Sequence, residues 1–189
     1  MNDNRIGNYM ITSSGQKYWP FDPRPEEVEI DVIAHHLAMK CRWAGAVREF
    51  YSVAEHSFWC STLVPPEDAL DALLHDASEA YNGDLIRPMK YDPSFAEPFM
   101  RIERLSEIAI ALRFQIGHPR PPSVKAADDA MGAAERDQLI THHGEWTGIN
   151  YPVPPAPVTV ECWSPRIAKV KFLTRYAWLV AERAMREAA

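Results

Sequence analysis

Leu73-Leu74-His75-Asp76-Ala77-Ser78-Glu79-Ala80-Tyr81 sets a His-Asp pair inside an apolar, Ala-rich run of helical character. An imidazole and a carboxylate in such surroundings cost free energy unless something pairs with them, and a metal ion is one such partner. Read as helix, the stretch puts His75 and Glu79 one turn apart on a shared face, with Asp76 about 100° round. Taken alone, a His-Asp dipeptide is as easily a satisfied core or surface pair, so its weight depends on what the rest of the chain offers.

Working outward, Pro65-Pro66-Glu67-Asp68 opens the helix that carries this stretch, with Pro in the first turn and acids that suit the macrodipole, and Asn82-Gly83-Asp84 ends it. Upstream, Ser52-Val53-Ala54-Glu55 has the form of a capping box, which assigns Glu55 a capping role and places His56 in the first turns of a helix. Asp31 reads as the N-cap of an earlier helix running to about Lys40, and the loop after it holds Arg42 beside Trp43. Downstream, Ile102, Leu105, Ile108, Ala109 and Leu112 recur at helical spacing between about Ser94 and Phe114, despite Pro98. Val124 to about Leu139 is a further helix with Asp128, Asp129 and Glu135. Residues 142–162 hold too much Pro for a helix and read as a loop, after which Ser164-Pro165 starts a last helix with Ile167, Val170, Leu173, Ala177, Val180 and Ala184 on its apolar face. About six helices with little strand signal predict an all-α bundle. Residues 1–30, rich in Gly, Pro and aromatics, read as an arm with a short hairpin whose Tyr18, Trp19 and Phe21 pack on a single helical domain over 31–189.

The 189 residues suffice for a core without staples, and 47% hydrophobic with 24% charged residues describes a soluble globular chain. No apolar run approaches the roughly 20 residues of a bilayer span, and the N-terminus has no apolar h-region, so a cytoplasmic protein with no membrane partner is expected. Cys41, Cys60 and Cys162 are odd in number, scattered and without CxxC spacing, which predicts reduced core thiols rather than disulfides or a thiolate zinc site. A net charge of -6 argues against a nucleic-acid polymer as partner.

His56, His75-Asp76 and Asp128 fall on different predicted helices. Two imidazoles and two carboxylates suit Mn, Co, Fe, Ni, Zn or Mg. The remaining candidates have plainer readings: His35-His36 and His142-His143 as structural or solvent residues, Trp43 as a core aromatic or a wall for a sugar, Arg87 and Lys90 as solvated charges, and Asp129 as a cap or a water-facing acid.

The order H…HD…D resembles the signature of the HD-domain phosphohydrolase superfamily. Ser52-Val53-Ala54-Glu55-His56-Ser57, His75-Asp76-Ala77-Ser78-Glu79, Gly83-Asp84-Leu85-Ile86-Arg87-Pro88-Met89-Lys90 and Lys125-Ala126-Ala127-Asp128 are similar to blocks of bacterial 5'-deoxynucleotidases and phage dATP triphosphohydrolases, over about residues 31–140. The resemblance implies an HD-type helical bundle and a metal held by His56, His75, Asp76 and Asp128. It implies Glu79 handling the attacking water, Arg42 and Trp43 meeting phosphate and sugar, Asp84 beside the deoxyribose and Lys90 on phosphate. The expectation is one divalent ion (Mn, Co, Zn or Mg), with an additional Mg on the substrate phosphates. The expected partners are a small nucleotide and further copies of the chain. The favoured reaction is hydrolysis of a dNTP to deoxynucleoside and triphosphate. The alternatives are a 5'-deoxynucleotidase acting on monophosphates and, in another class, a non-catalytic nucleotide-binding HD protein.

Overall fold

The computed structural model describes residues 4–90, 92–141 and 153–188. His142 and His143 lie outside them. Among the described residues the chain is all-α, with eight α-helices and one two-stranded hairpin. No helix there is long and apolar enough to cross a membrane.

The arm pairs β1 (Met10–Ile11) antiparallel with β2 (Lys17–Tyr18). Tyr18 alone of the three arm aromatics is fully buried, stacked on Tyr81 with ring centroids 3.9 Å apart and its hydroxyl 2.8 Å from Ser106 Oγ. Trp19 instead lies under Arg5 and against Tyr9 within the arm, and Phe21 packs on Gly7 with its ring largely exposed. His36 ties the hairpin down. Its Nδ1 donates to the Ala80 carbonyl at 2.6 Å and its Nε2 accepts from the Ser13 N–H at 3.1 Å, a structural role as expected.

Helix α1 (Ile30–Met39) starts one residue before the predicted cap: Glu29 is the N-cap, and Asp31 lies in the first turn, turned toward solvent. Helix α2 (Val53–Cys60) is capped by Ser52, whose hydroxyl accepts from the Glu55 N–H at 3.1 Å. Only that half of the capping box forms. The Glu55 carboxylate reaches across to accept from the backbone N–H groups of Glu161, Cys162 and Trp163 at 2.8, 3.1 and 2.6 Å, so the residue that starts α2 also anchors the chain entering the last helix.

The predicted helix over 65–81 is broken in two. Helix α3 (Ala69–Leu73) and helix α4 (Glu79–Asn82) flank a tight turn over 74–78. Backbone bonds there run to the third residue back, as from Ala77 to Leu74 and from Glu79 to Asp76. Such winding eclipses i and i+3, so Asp76 and Glu79 align where an α-helix would have aligned His75 and Glu79. The apolar pattern that predicted one long helix reports burial, and in this segment every residue from Ala69 to Tyr81 except Asp76 is buried.

Helix α5 (Arg87–Lys90) leads into α6 (Pro93–Phe114), whose N-cap Asp92 accepts from the Ser94 N–H at 2.9 Å. Helix α7 (Pro122–Leu139) and helix α8 (Pro165–Glu187), capped by Ser164, complete the body. On α6 the buried residues are Ala96, Ser106, Ala109, Ile110, Ala111 and Phe114, while the predicted stripe positions Leu105, Ile108 and Leu112 are exposed. On α8 the buried residues are Ala168, Phe172 and Leu179, and Ile167 and Val170 face outward. Helix α8 packs across α1, α2 and α3, which form the main core with the arm and α6. A second core joins α2 and α3 to α7. Residues 153–163 contain no helix and lie along this second core, held by Ala156 N–H to the Ala130 carbonyl and by both ends of the Gln138 amide, which meet Val158 and Val160.

Candidate metal centre

Four side chains converge where the two cores meet. His56 comes from α2, His75 and Asp76 from the tight turn, and Asp128 from α7. His56 Nε2 lies 3.2 Å from His75 Nε2, 3.3 Å from Asp128 Oδ1 and 3.7 Å from Asp76 Oδ2, and His75 Nε2 lies 3.3 Å from Asp76 Oδ1 and 3.9 Å from Asp128 Oδ1. Ligand atoms each about 2.1 Å from a common ion stand about 3.0 Å apart at right angles and about 3.4 Å at the tetrahedral angle. The three shortest of the observed separations fall in that range and the other two are longer.

The hydrogen bonds behind the rings say which nitrogens face it. His56 Nδ1 meets Glu135 Oε1 at 2.6 Å and His75 Nδ1 meets the Ala72 carbonyl at 2.7 Å. A carboxylate and a carbonyl only accept, so both Nδ1 atoms carry the proton and both Nε2 atoms turn a lone pair inward. With two carboxylates also pointing in, the four side chains offer one another acceptors, which a shared cation or proton would satisfy; Arg42 reaches Asp76 alone among them, at 3.4 Å. Burial disfavours an imidazolium at His56, yet the anionic neighbours, Glu135 and Asp128 among them, raise its pKa well above the usual value, while burial lowers that of His75. Against the same burial, His56, His75 and Arg42 hold Asp128 far below the usual carboxylate range, and Asp76 is held down as well.

Cys60 was expected to be a reduced core thiol rather than part of a thiolate zinc site. It is a free, fully buried thiol, but it stands against the cluster with Sγ 3.4 Å from His56 Nε2. His56, Cys60 and His75 form a buried group whose ligand atoms all lie within 4.8 Å of one another and which can hold a metal ion.

Glu135, which the sequence reading left unassigned, links the centre to the Arg-Trp loop. Its carboxylate is fully buried and accepts from His56 Nδ1, from Arg42 Nε at 3.0 Å and from Trp43 Nε1 at 3.0 Å. Arg42 also meets Asp76 Oδ2 at 3.4 Å. To bring both side chains to one carboxylate the loop folds as a 3-10 turn in which Trp43 and Ala44 take positive φ values of 57° and 50°, a conformation costly for residues with a Cβ. Arg42 and Trp43 are thereby fastened to the Glu135 carboxylate that also holds His56.

Beside the cluster lies a cavity of about 310 Å³ lined by His75, Asp76, Glu79 and Asp128, by Lys90, Lys125 and Arg120, and by Glu103 and Glu107. Burial first, then Asp76 and Asp84, push Glu79 well above the ordinary carboxylate range. Lys90 pairs with Asp84 at 2.6 Å, which places Asp84 at the rim, and Arg120 pairs with Glu107 at 2.9 Å. Lys125 bonds to Asp129, a mostly buried acid rather than the cap or water-facing one expected, and stands 3.6 Å from Asp128. Lys40, also unassigned by sequence, donates to the Glu79 carbonyl and so fixes the start of α4.

Fold and centre together define a helical protein with a buried group of His56, Cys60 and His75 that can hold a metal ion, beside the half-buried Asp76 and Asp128. The chain belongs to the family of the uncharacterized protein YfdR of Escherichia coli strain K12, with which it is 33% identical over 147 residues, 78% of this chain and 81% of that protein. An uncharacterized protein of Rhodobacter capsulatus is 34% identical over 139 residues, 67% of this chain and 70% of its own length. No protein-family model matches the chain.

Proposed function

We propose that the protein is an HD-type, metal-dependent phosphohydrolase of 2'-deoxynucleotides, with dNTPs as the favoured substrates. The observation that carries the reading is the convergence of His56, His75, Asp76 and Asp128, the last three of them on the wall of a cavity that also holds Glu79 and three cations. A divalent ion bound there supplies Lewis acidity, lowering the pKa of a water and drawing charge from a phosphoryl oxygen.

The remaining steps belong to the chain. Glu79 lines the same cavity and aligns with Asp76, so its carboxylate orients the attacking water and takes a proton at Oε. Its raised pKa matches the demand for a base that is not too weak. Lys90, Lys125 and Arg120 reach the cavity from three elements and offer charge to phosphate oxygens, each leaving a carboxylate partner to do so. Attack beside the ligands falls on the α phosphorus and releases deoxynucleoside and triphosphate. Glu79 also weighs against a silent nucleotide-binding protein, since binding alone has no use for a water-handling carboxylate.

A monophosphate substrate is favoured by a different observation. The cavity is at the small end for ligand sites, and Glu103 and Glu107 line it beside the cations. Incubating dATP and dAMP separately with Mn, Co, Zn or Mg and separating the products decides between them: triphosphate from dATP supports the first reading, and phosphate from dAMP with dATP untouched establishes the second. ATP alongside dATP tests the 2'-deoxy preference, which follows from the family resemblance; equal rates reject it.

A further inference from the structure

We propose that Cys60 is itself a ligand of the ion held by His56, His75, Asp76 and Asp128, and that its thiolate sets which metal the centre retains. The inference rests on the metal reading above and goes beyond the four ligands that the resemblance implies. Cys60 follows His56 by one turn of α2, so the two side chains leave the helix on the same face. A sulfur about 2.3 Å and a nitrogen about 2.1 Å from one ion stand about 3.1 Å apart at right angles and about 3.6 Å at the tetrahedral angle. The observed 3.4 Å between Sγ and His56 Nε2 lies between those limits.

Position on the ion points the same way. His75, Asp76 and Asp128 belong to the cavity wall, whereas His56 and Cys60 do not. Water and substrate therefore reach an ion from the carboxylate side. The Cys60 side is closed by α2 and by Ala72, Ala127 and Met131, buried apolar residues of the same core that offer a water ligand no hydrogen-bond partners. The donor that the described residues place on this side is the Cys60 thiol. As its sulfur bonds the ion, the S–H proton leaves to solvent, and the thiolate charge is met by the metal instead of standing alone in the core. A soft sulfur donor biases a set of imidazoles and carboxylates toward Zn, Fe(II) and Co and away from Mg and Mn.

Cobalt(II) added to the metal-stripped full-length protein tests the inference on the wild type, with bound metal counted by elemental analysis. The expected result is one bound cobalt with ligand-field bands in the visible and a thiolate-to-cobalt charge-transfer band in the near ultraviolet. That band should vanish in Cys60→Ser and persist in Cys41→Ser and Cys162→Ser. Cys60→Ser should also lose at least about 10-fold in affinity for Zn(II) relative to Mn(II), the lower end of what removing even an outer partner of a metal site costs. Bound cobalt with ligand-field bands but no charge transfer in the wild type would return Cys60 to packing and leave the metal centre standing. No bound cobalt at all would remove the centre and the inference together. Because the deciding band is read on the wild type, a Cys60→Ser chain that fails to fold does not blunt the test.

Discussion

Glu135 holds three donors from two other elements on one buried carboxylate, so its loss should be felt in stability and in metal affinity at once. Removing one partner of a buried ion pair costs about 3–5 kcal/mol, and removing the group that orients a ligating imidazole costs about 10–100-fold in affinity. Glu135→Ala should show both in urea denaturation and metal titration, with Glu135→Gln milder; unchanged metal affinity would mean that His56 needs no orienting partner. The signal was present in the sequence, since Asp128 and Glu135 stand two turns apart on one face of a helix, but nothing local says that such a face is buried. Glu79 separates metal holding from chemistry: Glu79→Gln should keep the ion and lose about 100-fold or more in turnover, the scale of general-base loss. Retained turnover takes Glu79 out of the mechanism. The charge state of His56 gives a pH dependence with a definite sign. Its raised pKa keeps a proton on the cluster that a metal must displace, so metal affinity should rise with pH and binding should release protons. In the metal-free protein the same shift is stabilising below the unfolded value of about 6.5, and that stability is lost as pH rises through the folded value. Calorimetric titration at several pH values in buffers of different ionisation enthalpy reads both quantities, and affinity that is flat with pH contradicts the protonated cluster.

Ser52 and Glu55 show what element-scale patterns deliver and where they stop. The capping-box pattern located the start of α2, because a cap is a contact between near neighbours. It misplaced the Glu55 carboxylate, whose three partners lie over 100 residues away and cannot be read from spacing. Glu55→Ala should therefore do more than loosen a cap. Three backbone N–H groups lose a charged acceptor, at a cost of about 3 kcal/mol or more, and amide exchange at 161–163 should accelerate well ahead of exchange in the first turn of α2. Equal acceleration in both places would restore the simple capping role. The helices of α6 and α8 were legible from period alone, yet their buried faces were not. Each carries apolar residues around more than one face, and the choice between them is made for α8 by α1, α2 and α3 and for α6 by α4, α5 and the turn Pro25–Glu27, whose positions local periodicity does not encode. The His-Asp stretch failed in the opposite way: its buried apolar run looked helical, while the actual turn aligns Asp76 with Glu79 and gives the carboxylate pair its electrostatic coupling.

At the scale of the whole molecule, the all-α class follows from period, and the candidates His56, His75, Asp76 and Asp128, which the fold brings together, were legible because histidine and aspartate in apolar surroundings need a partner. Of the cations on the cavity wall, Lys90 was already assigned to phosphate by the resemblance, whereas Arg120 was not legible, since it reaches the cavity from a Pro-rich connection that resembles any surface loop. The same convergence makes the ion a fastener. It would bind α2, the turn between α3 and α4, and α7 at one point where the two cores meet, and those segments are widely separated in the chain. An ion that binds the folded chain alone adds stability by mass action, about 2.7 kcal/mol at a hundredfold excess over Kd. For a domain of this length each kcal/mol moves the melting temperature by about 2–4 °C, so metal-loaded protein should melt roughly 5–10 °C above protein stripped with a chelator. Asp128→Ala should melt at the same temperature with and without added metal, whereas Glu79→Gln should keep the full shift, because it lines the cavity without holding the ion. A shift that survives Asp128→Ala would place the stabilising metal elsewhere on the molecule, and no shift in the wild type would mean that the cluster is satisfied by its proton alone.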